Sequence, residues 1–189
     1  MNPTLNNAIG IAQLIDNPLL IDIAEFGVFS GSTISQLRQN FPLSTPIYGF
    51  DTFTGLPEDW EGTTVKKGDF DLNGNIPNIP GVIFYKGIFK DTIPKYLKVA
   101  KPLKILHIDC DLYSSTQDVL YSLNHLILPG TIIVFDEWYY NGEDIFENRQ
   151  HEQKCFYEWV IDKNRNYIIF NANIGDQWES QRRIILITK

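Results

Sequence analysis

Leu19-Leu20-Ile21-Asp22-Ile23-Ala24-Glu25, followed by Phe26-Gly27-Val28-Phe29-Ser30-Gly31-Ser32-Thr33, decides the fold of this chain. The first seven residues are an apolar run of strand length closed by Gly27. From Gly31-Ser32-Thr33 onward, Ile34, Leu37 and Phe41 recur on one helical face. Strand, glycine turn and helix in that order open an α/β domain with a parallel sheet.

Working outward, Ile47-Tyr48-Gly49-Phe50-Asp51 is a second apolar run ending in an acid, and Val82-Ile83-Phe84-Tyr85 is a third, before Lys86-Gly87. The roughly thirty residues between them exceed a simple connection and are expected to form part of a site wall. Leu103 to Ile108 predicts a buried strand ending at Asp109, Ser114 to Leu128 a helix stopped by Pro129-Gly130, and Thr131 to Phe135 a strand ending at Asp136. Phe156, Trp159 and Val160 place a helix over Arg149 to Asp162, and Tyr167 to Phe170 is expected to pair with Arg183 to Thr188 as an antiparallel hairpin. The expected architecture is a single Rossmann-like, doubly wound domain over residues 1–189, with a mostly parallel sheet and a C-terminal antiparallel hairpin. Ligands then bind at the carboxyl ends of the strands, where strand order reverses.

The 189 residues suffice for one full core, and 43% hydrophobic with 21% charged residues is an ordinary globular composition. The longest apolar runs fall far short of the ~20 residues that span a bilayer. Met1-Asn2-Pro3-Thr4 lacks the basic start of a signal peptide, so a soluble cytoplasmic protein without a membrane partner is expected. A formal net charge of -7 argues against nucleic acid as a partner, since that affinity rests on clustered Lys and Arg. The two cysteines, Cys110 and Cys155, lack metal-ligand spacing and read as thiols of a reducing compartment.

The chemistry lies in the acids. Aligning Gly27 with the middle glycine of a dinucleotide fingerprint puts Glu25 where the first glycine should be, and a carboxylate beside a pyrophosphate is repulsive. That disfavours an NAD-dependent oxidoreductase and favours a cationic cofactor, S-adenosylmethionine, with Asp51 accepting from the ribose hydroxyls. A turn that merely packs helix on strand would leave Glu25 and Asp51 unexplained. Four further carboxylates, Asp109, Asp111, Asp136 and Glu137, end two predicted neighbouring strands. Gathered at one sheet edge they would repel one another and invite a hard cation such as Mg2+. Mg2+ could acidify a substrate hydroxyl, and Asp111, just off the metal, is the candidate general base. Asp111 also precedes a predicted helix and could simply favour its N-terminus.

Together these segments resemble the class I S-adenosylmethionine-dependent methyltransferases, and within them the macrocin O-methyltransferase-like, metal-dependent sugar O-methyltransferases. The resemblance rests on the Glu25–Ser32 block, Phe50-Asp51-Thr52-Phe53-Thr54-Gly55-Leu56-Pro57, Lys86-Gly87-Ile88-Phe89-Lys90-Asp91-Thr92, His107-Ile108-Asp109-Cys110-Asp111-Leu112-Tyr113-Ser114-Ser115-Thr116 and Pro129 to Glu137. It implies cofactor contacts from Glu25, from Gly27, Phe29, Ser30, Gly31, Ser32 and Thr33, from Asp51 and Thr52, and from Gly87. It implies Mg2+ on Asp109, Asp136 and Glu137, catalytic roles for Asp109 and Asp111, and a sugar or glycoside acceptor. The chain departs from that pattern with Glu at 137 instead of Asp, about twenty residues before the first strand instead of a longer region, and an insertion from Trp138 to His151 that could form a lid. Metal-independent methyl transfer and a non-catalytic cofactor-binding module are the alternatives.

Other residues admit a plainer reading. His107, inside a predicted strand, is expected to be a hydrogen-bonded core histidine. His151 and Glu152 could be solvated or face the pocket. Trp138-Tyr139-Tyr140 leaves open stacking on a sugar and a contact between copies of the chain in a homo-oligomer.

Overall fold

A computed structural model describes residues 2–138, 151–171 and 181–189. Asp22–Phe26 (β1), Ile47–Asp51 (β2), Ile83–Lys86 (β3), Leu103–Ile108 (β4), Ile132–Phe135 (β5), Tyr167–Asn171 (β6) and Arg183–Ile187 (β7) form one sheet in the order β3-β2-β1-β4-β5-β7-β6. β1 to β5 are parallel, and β7 runs antiparallel to both β5 and β6. Strand order reverses between β1 and β4, so the loops leaving these two strands flank the expected ligand crevice.

Pro3–Leu14 (α1) and Ser32–Asn40 (α2) cover one face. There Leu5, Ile9, Ile34 and Leu37 pack on Ile23, Ile105, Ile132 and Val134. Phe89–Tyr96 (α3), Tyr113–Ser122 (α4) and His151–Asp162 (α5) cover the other, where Ile93, Val119, Phe156 and Trp159 meet Phe26, Phe50, Leu106 and Phe135. Alternate residues of a strand face opposite sides, so the register Glu25↔His107↔Val134 puts Glu25, His107 and Asp136 on the α1/α2 face. Among the described residues no helix is long and apolar enough to cross a membrane.

The doubly wound sheet and its closing hairpin are as expected; β2 and β4 span the residues read from sequence, and the other strands differ from it by one to three residues at an end. Two helices go beyond the sequence reading. α1 is capped by Asn2, whose side chain accepts from Leu5 N at 2.9 Å, with Pro3 at its first position. α3 contains Pro94, which reads as a breaker in sequence but falls late in an eight-residue helix. α4 stops at Ser122 rather than Leu128, because the chain turns at Leu123 and Leu126 N donates to Leu123 O. Arg149 and Gln150, placed in the last helix by sequence, lie outside the described residues, as does the stretch 139–150 of the expected lid. Trp138 is 2% exposed, packed against Phe135, Phe156 and Tyr157, so it belongs to the core and not to an exposed aromatic surface.

Candidate active site

The loops at the carboxyl edge are held to each other by backbone. Gly27 N donates to Phe50 O at 2.9 Å, and Asp109 N donates to Phe26 O at 2.9 Å, which extends the β2-β1-β4 ladder beyond the strands. Gly27 has φ +90°, and a Cβ there would stand 1.7 Å from Asp109 O. Only glycine lets the first turn and the β4 loop approach this closely. Asp51 caps the turn from β2: its Oδ2 accepts from Val28 N and Phe29 N, both at 2.8 Å, and its Oδ1 from Phe53 N at 2.6 Å. Phe29, Phe53 and Asp111 all take positive φ, at 47°, 56° and 64°. Three adjoining loops therefore each hold a strained non-glycine residue, a feature that concentrates at functional sites.

These loops border a cavity of about 810 Å³. Gly27, Phe29, Asp51 and Thr52 line it from the turn and β2, Ile88 to Lys90 from the β3 loop, and Ser114, Ser115 and Asp118 from α4. The long connection after β2 supplies the expected wall with Leu56, Glu58, Trp60, Val65 and Phe70. That connection is folded on itself, since a Cβ on Gly55 would meet Gly68 O at 2.4 Å. Asp109, Asp111 and Glu137 line the cavity as well.

The other expected cofactor residues stand back from the lining. Gly31 caps α2 with φ +85°, Ser32 and Thr33 begin that helix, Ser30 is exposed, and Gly87 turns the chain with φ +137° just before the lining residues Ile88 and Phe89. Glu25 is fully buried and already engaged: Thr33 Oγ1 donates to its Oε1 at 2.9 Å, and His107 Nδ1 lies 2.9 Å from its Oε2. Its carboxylate, expected from sequence to meet the cofactor, lies beneath the turn with these two partners and is not among the residues that line the cavity.

The acids fall into two groups with opposite electrostatics. In the first, Glu25, His107, Asp136 and Arg182 alternate in charge. His107 Nε2 lies 3.7 Å from Asp136 Oδ1, and Arg182 grips Asp136 with Nε on Oδ1 at 2.6 Å and Nη2 on Oδ2 at 2.9 Å. Asn2 Nδ2 adds a bond to Asp136 Oδ1 at 3.3 Å. Burial pulls the His107 pKa down, but Asp136 and Glu25 outweigh it and hold it well above the usual histidine value. Burial pushes Asp136 up, yet His107 and Arg182 bring it down to about 2. His107 is thus the bonded core histidine that the sequence led one to expect.

In the second group only Asp109 has a positive neighbour, His107, which offsets part of the cost of its burial. Asp109, Asp111 and Glu137 each offer a carboxylate oxygen within 4.8 Å of the others. Among the described residues, no hydrogen bond or ion pair reaches these three side chains, and Glu137 Oε2 is buried without a partner. Burial, reinforced by Asp136, raises Asp109 well above the carboxylate range and Asp111 to about 7. Burial, then Asp109 and Glu152, does the same to Glu137. Three clustered carboxylates at the cavity, with no hydrogen bond or ion pair among the described residues, fit a hard divalent cation, which commonly takes one or two carboxylates and completes its shell with substrate and water.

The metal set expected from sequence, Asp109, Asp136 and Glu137, is divided by this arrangement. Asp136 lies within 4.8 Å of His107 and Asp109, but Arg182 holds both of its oxygens. Sequence could not place Arg182, 46 residues away, on that acid. Glu152, which the sequence left as either solvated or facing the pocket, is neither solvated nor among the cavity-lining residues. It is fully buried in the first turn of α5, accepting from Cys110 N and Glu137 N at 3.2 Å each.

The family model for macrocin O-methyltransferase matches residues 68–155. No curated protein matches by sequence. The crystal structure of CalS11, a calicheamicin methyltransferase, superposes with a TM-score of 0.68 at 23% identity, covering 97% of this chain and 77% of its own. The O-methyltransferase NovP superposes at 0.66 with 19% identity, covering 98% and 79%. TomG from Streptomyces achromogenes, an O-methyltransferase in complex with S-adenosylmethionine, superposes at 0.62 with 15% identity, covering 97% and 80%. The β3-β2-β1-β4-β5-β7-β6 sheet with its crevice at the reversal point is the fold of these O-methyltransferase structures, and residues 68–155 are similar to the macrocin O-methyltransferase family.

Proposed function

We propose that this protein transfers the methyl group of S-adenosylmethionine to a hydroxyl of a sugar or related small-molecule glycoside, with assistance from Mg2+. The observation that carries this reading is the clustered group Asp109, Asp111 and Glu137, which lines the same cavity as Gly27, Phe29 and Asp51. In the reading, Asp51 faces the cofactor ribose. Three backbone donors occupy Asp51, and a carboxylate has about four acceptor sites, so one remains for a hydroxyl.

Asp109 and Glu137 would hold Mg2+, which supplies a Lewis acid that lowers the pKa of an acceptor hydroxyl. Asp111, set in the cavity wall by its left-handed backbone, takes the hydroxyl proton. The acceptor oxygen forms its bond to the methyl carbon as the carbon–sulfur bond breaks, the bonding pair staying on sulfur as neutral S-adenosylhomocysteine. The acidic lining favours the sulfonium cofactor. Leu56, Trp60 and Val65 offer an apolar surface to the less polar face of a sugar or its aglycone. Sugar-modifying relatives of the same fold, such as one described as a TDP-rhamnose 3'-O-methyltransferase, support this acceptor class. A net charge of -7 supports a small-molecule acceptor over nucleic acid, and the free, buried Cys110 and Cys155 suit the cytoplasm.

The test is calorimetry with S-adenosylhomocysteine, followed by methyl transfer to a panel of glycosides with EDTA or with Mg2+ restored. Binding, turnover, loss in EDTA and recovery with Mg2+ are expected. Full turnover in EDTA would select metal-independent transfer, a reading that the capture of Asp136 by Arg182 favours. Cofactor binding without turnover on any acceptor would select a non-catalytic module.

A further inference from the structure

The β4 loop leaves the sheet ladder after Asp109. Beyond it the chain makes a tight turn, with Leu112 N on Cys110 O at 2.6 Å and Asp111 at φ 64°, so the strands no longer fix where Asp111 points. The amide of Cys110, between the two aspartates, is held by Glu152 Oε1. The other oxygen of the same carboxylate holds the amide of Glu137 on the β5 loop. One side chain from α5 therefore ties together the two loops that carry Asp109, Asp111 and Glu137. Glu152 is 0% exposed and sits beside other acids, a costly place for a carboxylate if packing were all that was required.

We propose that Glu152 is a positioning residue that sets the spacing between the Asp109–Asp111 loop and Glu137, and so pre-forms the acid group before ligands arrive. Among the described residues its carboxylate hydrogen-bonds to backbone amides, and it acts through the three acids. The proposal rests on reading those acids as the reaction centre. The chemistry explains why Glu is needed: each carboxylate oxygen is an acceptor facing an N–H. Glutamine of the same shape has one acceptor oxygen, and its amide nitrogen would confront the second N–H donor to donor.

The experiment compares Glu152→Gln and Glu152→Ala with the parent protein, with thermal melts to establish that each variant is folded. In 1H–15N correlation spectra, the Cys110 and Glu137 amide protons of the parent should be shifted downfield by the carboxylate. One should move upfield in Glu152→Gln and both in Glu152→Ala. With S-adenosylhomocysteine bound, Glu152→Gln should lower Mn2+ affinity tenfold or more by calorimetry, and should lower kcat while leaving KM for the methyl donor and S-adenosylhomocysteine affinity within twofold. Unmoved amide resonances would overturn the proposal. So would equal losses of cofactor and Mn2+ affinity, which mark a merely structural role. If the parent protein binds no Mn2+, the metal reading fails; Glu152 is then still supported by amide shifts with a kcat-selective loss, and overturned without them.

Discussion

Two groups of acids lie side by side at the carboxyl edge of this sheet, and they differ in one respect. Glu25 and Asp136 alternate with His107 and Arg182, so that chain of residues carries its own counter-charges and stays closed beneath the turn. Asp109, Asp111 and Glu137 face the cavity with no cation of the described protein bound to them. The first arrangement supports the turn, and the second is the group proposed to react. A site can thus be recognised less by the number of its acids than by which of them the fold leaves unbalanced.

The sharpest way to break the comparison is Asp111→Asn, which removes the proposed base and one negative charge from the reactive group. It should reduce kcat by roughly 10²–10⁴-fold, the range of general-base catalysis, with S-adenosylhomocysteine affinity by calorimetry almost unchanged. Next comes Arg182→Gln, which uncovers Asp136. It should cost about 3 kcal/mol in urea unfolding, as for a mostly buried pair deprived of one partner, and should tighten Mn2+ binding because Asp136 becomes available to the metal. In the parent protein Asp136→Asn should leave Mn2+ affinity within about threefold, far below a tenfold change of 1.4 kcal/mol. A tenfold loss would return Asp136 to the metal set.

Mg2+ itself should stabilise the protein by roughly 2.7 kcal/mol at a hundred times its Kd, read as a rise in Tm that EDTA reverses. A comparable stabilisation in a protein lacking both Asp109 and Glu137 carboxylates would remove the metal from this site. A smaller stability effect than these concerns pH in the metal-free protein. The folded pKa of Asp136, about 2, lies below its ordinary 3.8, so its contribution is complete above about pH 4 and is lost as pH falls from 4 towards 2. The loss should be of the order of 2 kcal/mol, and Arg182→Gln should shrink it; an undiminished loss would show that Arg182 does not set this balance.

Much of this organisation is legible along the chain because it is local. Ile47–Asp51 and Leu103–Ile108 are apolar runs bounded by turn residues, and they form strands over those residues. α1 and α3 are less legible: Asn6, Asn7 and Gly10 weaken the signal in one, and Pro94 interrupts the other, while packing against the sheet stabilises both. Asp51, Asp109, Asp111 and Glu137 reach the cavity because they follow the ends of parallel strands that the pattern already marks. Glu25 shows where that reasoning stops, since a strand-end acid can face into the protein as readily as out of it. Its neighbours Thr33 and His107 decide which.

By itself, the sequence determined the alternating α/β order, the glycine turn and the acids at the strand ends. Only the tertiary structure decided which acids are neutralised and which are free. Arg182 meets Asp136 across 46 residues, and Glu152 joins amides 42 and 15 residues away. Charge balance acts through space, over a few ångströms, and no local pattern in the chain encodes it.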